Sequence, residues 1–202
     1  MHTTKLMIVA VGGQGNILAS RILGEAALAA HVPVRMSEFH GMAQRGGVVE
    51  SMVLLGEGGS YCIADGDTDI LLGFEPSETI RAAKKCRANS VVITNTASVP
   101  PYTVALGKTQ YPDVKTALAL MTDRVKQLIA FDATALALQA GSSLALNMVM
   151  LGALAKSGAV ALSPDLIWRI IEEKTKKQFV DINLKAFAMG MQAVAGTLDE
   201  RC

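Results

Sequence analysis

Three side chains suited to polar chemistry, His40, Gln44 and Arg45, stand among glycines in the stretch Glu38-Phe39-His40-Gly41-Met42-Ala43-Gln44-Arg45-Gly46-Gly47-Val48. The planar fork of an arginine can clamp a carboxylate or a phosphate. An imidazole can donate, accept or shuttle a proton near neutral pH. Gly41, Gly46 and Gly47 permit positive φ or the close approach of a partner. About one helix and one strand earlier lies Ala10-Val11-Gly12-Gly13-Gln14-Gly15. A glycine turn between a strand and a helix brings backbone amides to a helix N-terminus, where a phosphate can approach. Matched to G-x-G-x-x-G, its first position is Ala10, and Glu38 stands near where an acidic residue would hold a ribose. A stand-alone NAD(P)-binding protein is therefore one reading. The plainer reading is that the glycines let the first helix pack closely, and that the second segment is a solvated loop leading into a return strand.

Other chemistry-bearing residues point less far. Asp65-Gly66-Asp67-Thr68-Asp69 gathers three carboxylates but lacks the later spacing and terminal glutamate of a calcium loop, so a turn into the next strand is expected. His31 falls between a helix and a strand and reads as a surface residue. Asn147 lies in an apolar stretch, where a neighbouring backbone group or a ligand would satisfy it. Cys62 and Cys86 have no His–acid pattern near them and read as buried thiols. No serine nucleophile elbow and no Walker lysine loop occurs. Gly66-Asp67-Thr68 has Thr where a thiamine diphosphate Gly-Asp-Gly motif has its second glycine. A ligand-sized edge without a complete catalytic set suggests one subunit of a larger enzyme.

The elements that must carry these residues follow from periodicity. Lys5 to Val11 is an apolar run expected to be a strand buried on both faces. Asn16 to Ala30 places Leu18, Ile22, Ala26 and Ala29 on one helical stripe and Arg21 and Glu25 on another. Val32 to Glu38 and Val48 to Leu55 read as strands, with His40 to Arg45 on the loop between them and Gly56-Glu57-Gly58-Gly59 as a turn. Asp69 to Phe74 and Ser90 to Thr94 are further buried strands, separated by a helix from Pro76 to Arg87 with Pro76 in its first turn. Asn95 to Pro112 reads as loop with one short strand, Val114 to Val125 as helix, and Gln127 to Phe131 as the last strand. Helices follow at Ser143 to Lys156, after an N-cap Ser163 and Pro164, and from Asn183 to Gly196 with Leu184, Phe187, Ala188 and Met191 inward. Strands alternating with helices predict an α/β fold: a Rossmann-like, mostly parallel sheet flanked by helices, with a helical C-terminal part.

Size and charge narrow the classes. At 202 residues, half of them hydrophobic, residues 1–202 are expected to form a single domain. A net charge of +1 from 19 basic and 18 acidic residues gives no electrostatic footprint for nucleic acid or an anionic membrane. Ala133 to Ala155 carries no charge, yet Gln139, Gly141-Ser142-Ser143 and Asn147 break it into two buried elements rather than a membrane span. No secretory leader is expected ahead of the first strand. Three distant cysteines, Cys62, Cys86 and Cys202, argue for a reducing compartment and against a disulfide framework or a structural zinc site. An iron–sulfur cluster held by this chain alone would need a fourth thiolate. The expectation is a cytoplasmic chain with no metal of its own.

The succession Gly12-Gly13-Gln14-Gly15, then Leu18-Ala19-Ser20-Arg21-Ile22-Leu23, then Ser37 to Gly47 resembles the gamma-type catalytic domain of the 2-oxoacid:ferredoxin oxidoreductases. The likeness extends over nearly the whole chain, including Asn147 to Gly158 and Asn183-Leu184-Lys185-Ala186-Phe187. Within the family, His40-Gly41-Met42-Ala43-Gln44-Arg45-Gly46-Gly47 is similar to the indolepyruvate-type members rather than to the pyruvate and 2-oxoglutarate ones, which remain the alternatives. Ala10 departs from the family, which often has Gly there. The resemblance implies a heteromeric complex that oxidatively decarboxylates aryl pyruvates to aryl-acetyl-CoA, CO2 and reduced ferredoxin, the isolated chain being inactive. Thiamine diphosphate, Mg²⁺ and [4Fe–4S] clusters are then expected on a large alpha subunit, with coenzyme A as co-substrate and no cofactor bound by this chain alone. Candidate site residues here are Arg45 and His40 near the chemistry, and Gly12, Gly13, Gln14, Gly15, Gln44 and Arg45 for phosphate or partner contact. A scaffold with no residue near the chemistry is the competing reading.

Overall fold

The computed structural model describes residues 3–41, 47–58, 62–100, 104, 106–107 and 110–199. The apolar run after Thr3 forms β1 (Thr4–Val11), and its residues Leu6 to Ala10 are almost wholly buried. Five further strands join it: β2 (Val34–His40), β3 (Val48–Leu55), β4 (Thr68–Gly73), β5 (Cys86–Asn95) and β6 (Gln127–Phe131). The order across the sheet is β2-β3-β1-β4-β5-β6. β1, β4, β5 and β6 pair in parallel, whereas β3 runs antiparallel between β2 and β1. The expected mostly parallel sheet is present, with one reversed strand that makes β2–β3 a hairpin. Val48 lies opposite Val11, and Val49 opposite His40. The hairpin loop therefore leaves the sheet beside the carboxyl end of β1.

Helix α1 (Asn16–Ala29) covers one face, against the even-numbered side chains of β1. Helices α2 (Pro76–Ala82) and α3 (Val114–Thr122) cover the other, against Met7 and Val9. The remaining helices are α4 (Ala133–Ala140), α5 (Leu146–Ser157), α6 (Pro164–Lys174) and α7 (Val180–Asp199). They build onto the α1 face and enlarge its core. Among the described residues no helix is long and apolar enough to cross a membrane.

Several boundaries differ from the sequence reading. β2 continues through His40, because backbone pairing with β3 persists until Val49 and Gly41 N–H still donates to Val48 O at 2.8 Å. His40 is thus the last strand residue, not a loop residue. α2 stops at Ala82, and after a 3₁₀ turn over Ala83–Lys85 strand β5 already begins at Cys86. Pairing of Cys86 with Thr68 and of the Ser90 hydroxyl with Thr68 O at 2.5 Å outweighs the helix-forming composition of Lys84 to Arg87. The buried stripe of α1 is Ala19, Ile22, Leu23, Ala26 and Ala27, and Ala29 is exposed. α7 starts at Val180 and buries Ala186 with Phe187. The described part of the segment after Asn95 forms no strand before α3.

α5 and α7 touch backbone to backbone. A Cβ on Gly152 would lie 2.0 Å from Phe187 O, and one on Gly190 would lie 1.9 Å from Val149 O. Gly152→Ala is therefore expected to lose about 1–3 kcal/mol or more of stability, as overpacking in a closed core does. Gly158→Ala faces open space at φ +69° and is expected to cost only left-handed strain, about 1–2 kcal/mol. Urea unfolding midpoints compare the two; equal losses would mean that the helices are not locked by this crossing.

Candidate functional site

At the carboxyl edge, β1 gives way to the glycine turn. Gly12 N–H donates to Gly47 O at 2.9 Å, which extends the β1–β3 pairing into the hairpin loop. Gly13 and Gly15 then adopt φ +101° and +79°, conformations that favour glycine. The turn leads into α1, whose N-terminus has no side-chain cap and no acidic residue in its first turn. The first internal bond of the helix, Ala19 N–H to Gly15 O at 3.1 Å, leaves the earlier amides without helical partners.

A cleft of about 650 Å³ opens here, walled on one side by Gly12, Gly13, Gly15 and Asn16 and on the other by His40 and Gly47. The two segments singled out in the sequence thus meet, although 23 positions separate Gly15 from Glu38. Gln44 and Arg45 lie outside the described residues. His40 is about half exposed, with Nε2 3.6 Å from Glu38 Oε2. The Ser20 hydroxyl donates to the other Glu38 oxygen at 3.5 Å. Glu38 is therefore engaged from α1 and from its own strand. Beneath the cleft, the buried Asn16 donates from Nδ2 to Ser51 Oγ at 3.1 Å.

Two amides shape the turn from behind. Gln14 accepts from Val11 N–H at 2.8 Å through Oε1 and donates to Phe74 O at 3.2 Å through Nε2. Asn147, 2 % exposed at the start of α5, donates to Gly15 O at 3.2 Å. A Cβ on Gly15 would come within 2.7 Å of its Nδ2. A backbone partner thus satisfies Asn147, one of the two options its sequence context left open.

The polar group next door was missed in the sequence reading. Glu75 is fully buried and caps α2, accepting from Glu78 N–H at 3.0 Å, from Ser77 Oγ at 2.6 Å, from Val99 N–H at 3.2 Å and from the Tyr111 hydroxyl. Its position before Pro76 was the available signal, since Pro at the first helical position follows an N-cap. Glu78, in the same turn, is nearly buried. Arg81 Nε stands 3.3 Å from its Oε2, yet that oxygen accepts no hydrogen bond. Burial raises the Glu78 pKa above the usual 4.5; Arg81 opposes the rise, and the charges of Glu75 and Glu50 add to it.

The remaining candidates have structural roles. Asp65 pairs with Lys85 at 3.1 Å, Asp67 with Lys5 at 2.5 Å, and Asp69 with Arg87, so each carboxylate of the turn has its own cation. His31 is exposed at φ +55° after α1. Cys86 is a half-buried thiol that burial pushes up to about 11, as expected of an unreactive cysteine, whereas Cys62 is exposed rather than buried. Cys202 lies outside the described residues. Among the described residues no group of three or more His, Cys, Asp or Glu could hold a metal ion.

Comparison with known proteins gives this geometry a lineage. The family model described as pyruvate ferredoxin/flavodoxin oxidoreductase matches residues 5–193. The chain is 40% identical over 190 residues to the indolepyruvate oxidoreductase subunit IorB of Methanothermobacter thermautotrophicus, covering 94% of this chain and 97% of that one. Its fold resembles the crystal structure of a keto/oxoacid ferredoxin oxidoreductase gamma subunit from Geobacter sulfurreducens, with TM-score 0.70, 23% identity, and 96% and 99% coverage. It also matches the 2-oxoglutarate:ferredoxin oxidoreductase of Magnetococcus marinus, with TM-score 0.71 and 17% identity, over 97% of this chain and 32% of that longer one.

Two outcomes follow from the geometry. Asn147→Leu removes one of the two donors to Gly15 O, leaving Ala19 N–H, and is expected to cost about 0.5–1.5 kcal/mol in urea unfolding; an unchanged midpoint would show that the contact does not hold the turn. For Glu78, a folded pKa above 4.5 means that the folded chain keeps a proton the unfolded chain releases. Its contribution is most favourable below about pH 4.5 and is lost as pH rises through the folded value. Glu78→Gln should therefore gain stability relative to the parent chain as pH rises from about 4.5 to 8. A difference independent of pH would show that the carboxyl titrates normally.

Proposed function

We propose, from the premise that this chain belongs to the pyruvate ferredoxin/flavodoxin oxidoreductase family, that it is the smaller subunit of an indolepyruvate-type 2-oxoacid:ferredoxin oxidoreductase. In this reading residues 1–202 act as one gamma-type domain that supports coenzyme A-dependent oxidative decarboxylation of aryl pyruvates in the cytoplasm. The observation that carries it is the cleft in which Gly12 to Gly15 and the His40–Gly47 hairpin converge. The substrate class comes from the indolepyruvate relative at 40% identity. Coenzyme A as co-substrate accords with the Magnetococcus marinus enzyme, which was solved with coenzyme A and succinyl-CoA bound.

Among the described residues the side chains offer no ligand set for an iron–sulfur cluster. Cys62 and Cys86 lie far apart in sequence, and no group of three or more potential metal ligands occurs among the described residues. We therefore assign thiamine diphosphate with Mg²⁺ and the [4Fe–4S] clusters to a large alpha subunit, from which electrons pass to ferredoxin. This chain's part is to wall the approach to that subunit's chemistry. The glycine turn lets a ligand come against backbone amides rather than side chains. Arg45, carried between Gly41 and Gly47, supplies the fork for a 2-oxo carboxylate or a coenzyme A phosphate. His40, oriented by Glu38, supplies a proton donor or acceptor at the rim. Gln44 stands beside Arg45 in the same loop. Exposed Ile17 at 49 % and Leu144 at 74 % give the same edge apolar surface for the large subunit.

The test is recovery of the tagged chain from its native cytoplasm, followed by an assay of indolepyruvate- and coenzyme A-dependent viologen reduction. A large iron–sulfur partner and the activity should be recovered together. Arg45→Ala should leave assembly intact and raise the KM for the oxoacid or for coenzyme A about tenfold or more, the scale of one lost charge-assisted hydrogen bond. A chain without such a partner overturns the reading, and unchanged Michaelis constants in Arg45→Ala overturn the role of that residue.

A further inference from the structure

The glycine turn contains one residue that is not glycine, and that residue faces away from the cleft. Gly12, Gly13, Gly15 and Asn16 line the cavity, whereas Gln14 between them does not. Its amide is used at both ends. Oε1 receives Val11 N–H at 2.8 Å, and Nε2 reaches Phe74 O at 3.2 Å, across 60 positions of sequence. The same Phe74 oxygen also receives Asn95 Nδ2 at 3.0 Å, while Phe74 N–H donates to Val9 O at 2.8 Å. Asn95 Oδ1 in turn accepts from Ala97 N–H and Ala133 N–H, each at 3.1 Å. The loops after β1, β4, β5 and β6 are thereby joined by two side-chain amides on one carbonyl. Gly13 and Gly15, both at positive φ, give the turn no rigidity of their own. Its shape is set from behind, by Gln14 toward β4 and by Asn147 toward α5.

We infer that Gln14 is a positioning residue: rather than contacting a phosphate or a partner itself, it fixes the backbone of Gly12 to Gly15 as the cleft wall against which ligand is held. This rests on the reading of the cleft as the ligand approach of a 2-oxoacid:ferredoxin oxidoreductase. It also states which side-chain chemistry the position requires, namely an acceptor for Val11 and a donor for Phe74 in one planar group. Glutamate matches glutamine in shape but has a donor only when protonated. Methionine is close to it in length and offers no donor and only a weak acceptor.

The experiment uses the reconstituted complex and compares Gln14→Met and Gln14→Glu with the parent, by steady-state kinetics and by amide hydrogen exchange. Gln14→Met should raise the KM for coenzyme A or the oxoacid at least tenfold while kcat changes less than threefold, and should speed exchange across Gly12 to Gly15 in the ligand-free complex. Gln14→Glu should be as impaired as Gln14→Met at high pH. It should regain parent-like KM, as a ratio to the parent at the same pH, when the assay is made acidic enough to protonate the introduced carboxyl. That pH-dependent rescue is not expected of a residue that serves stability alone. Turn exchange at the parent rate in Gln14→Met overturns the inference, as does a Gln14→Glu to parent ratio that does not vary with pH. A parent complex without oxoacid-dependent activity overturns the functional reading instead, and hydrogen exchange still decides the role of Gln14. If Gln14→Met fails to assemble, the pH series on Gln14→Glu decides it.

Discussion

A single backbone carbonyl, that of Phe74, carries the constraint on which the carboxyl edge of the sheet depends. Parallel strands end with carbonyls and loops that have no ladder partner, and buried backbone groups must find one elsewhere. Here β4 ends at the centre of the sheet, between β1 and β5, where the orphaned oxygen is farthest from either edge. Gln14 and Asn95, from the neighbouring strand ends on each side, both donate to it. The helices also change faces at this point, since α1 lies on one side of the sheet and α2 and α3 on the other. Open α/β sheets form ligand crevices at such switch points. In this chain the Gln14 side chain bridges the crevice between β1 and β4. The accessible cleft is displaced toward β3 and β2, where the hairpin supplies its second wall.

The helical C-terminal part is connected to the same edge. The Gly152–Gly190 crossing brings α5 and α7 into backbone contact and leaves little freedom in where α5 begins. At that beginning stands Asn147, against Gly15. A bulkier residue at either glycine of the crossing would shift α5 and with it the donor that holds the turn. Residues more than 130 positions apart thus fix one wall of the cleft. Gly15 allows no Cβ because Asn147 occupies that space, and Asn147 is satisfied because Gly15 offers its oxygen.

How much of this was legible in the sequence depends on range. Strand and helix identities were readable from periodicity, as in Lys5 to Val11 and in the Ser163–Pro164 cap, because those signals are local. The convergence of Gly12–Gly15 with His40–Gly47 was legible because both follow strands at the same end of a parallel sheet. The antiparallel β3 was not separately legible: a loop of seven residues permits a hairpin, but composition does not state direction. His40 in the strand, Cys86 opening β5 and Thr68 pairing with it all depend on partners distant in sequence. Gln14 is the instructive case. Its neighbours suggested a phosphate loop, and only the placement of Phe74 shows where its amide goes.

The two sides of the carboxyl edge differ in charge, which bears on how an anionic ligand would enter. On the α2 side, Glu75 is buried, Glu78 is nearly so, and Glu50 is close enough to raise the Glu78 pKa. Carboxylates so placed disfavour a further negative charge, because their fields are weakly screened. On the α1 side, the cleft presents the uncapped start of a helix of 14 residues, whose unpaired amides favour one. Glu38 is the acid on that side, and Ser20 and His40 both stand against it. The asymmetry follows from the fold, since alternate residues of β3, Glu50 and Ser51, face opposite sides of the sheet. Of the two sides, the α1 side is thus the one whose local field favours an anion, and His40 stands at the rim of the cleft there.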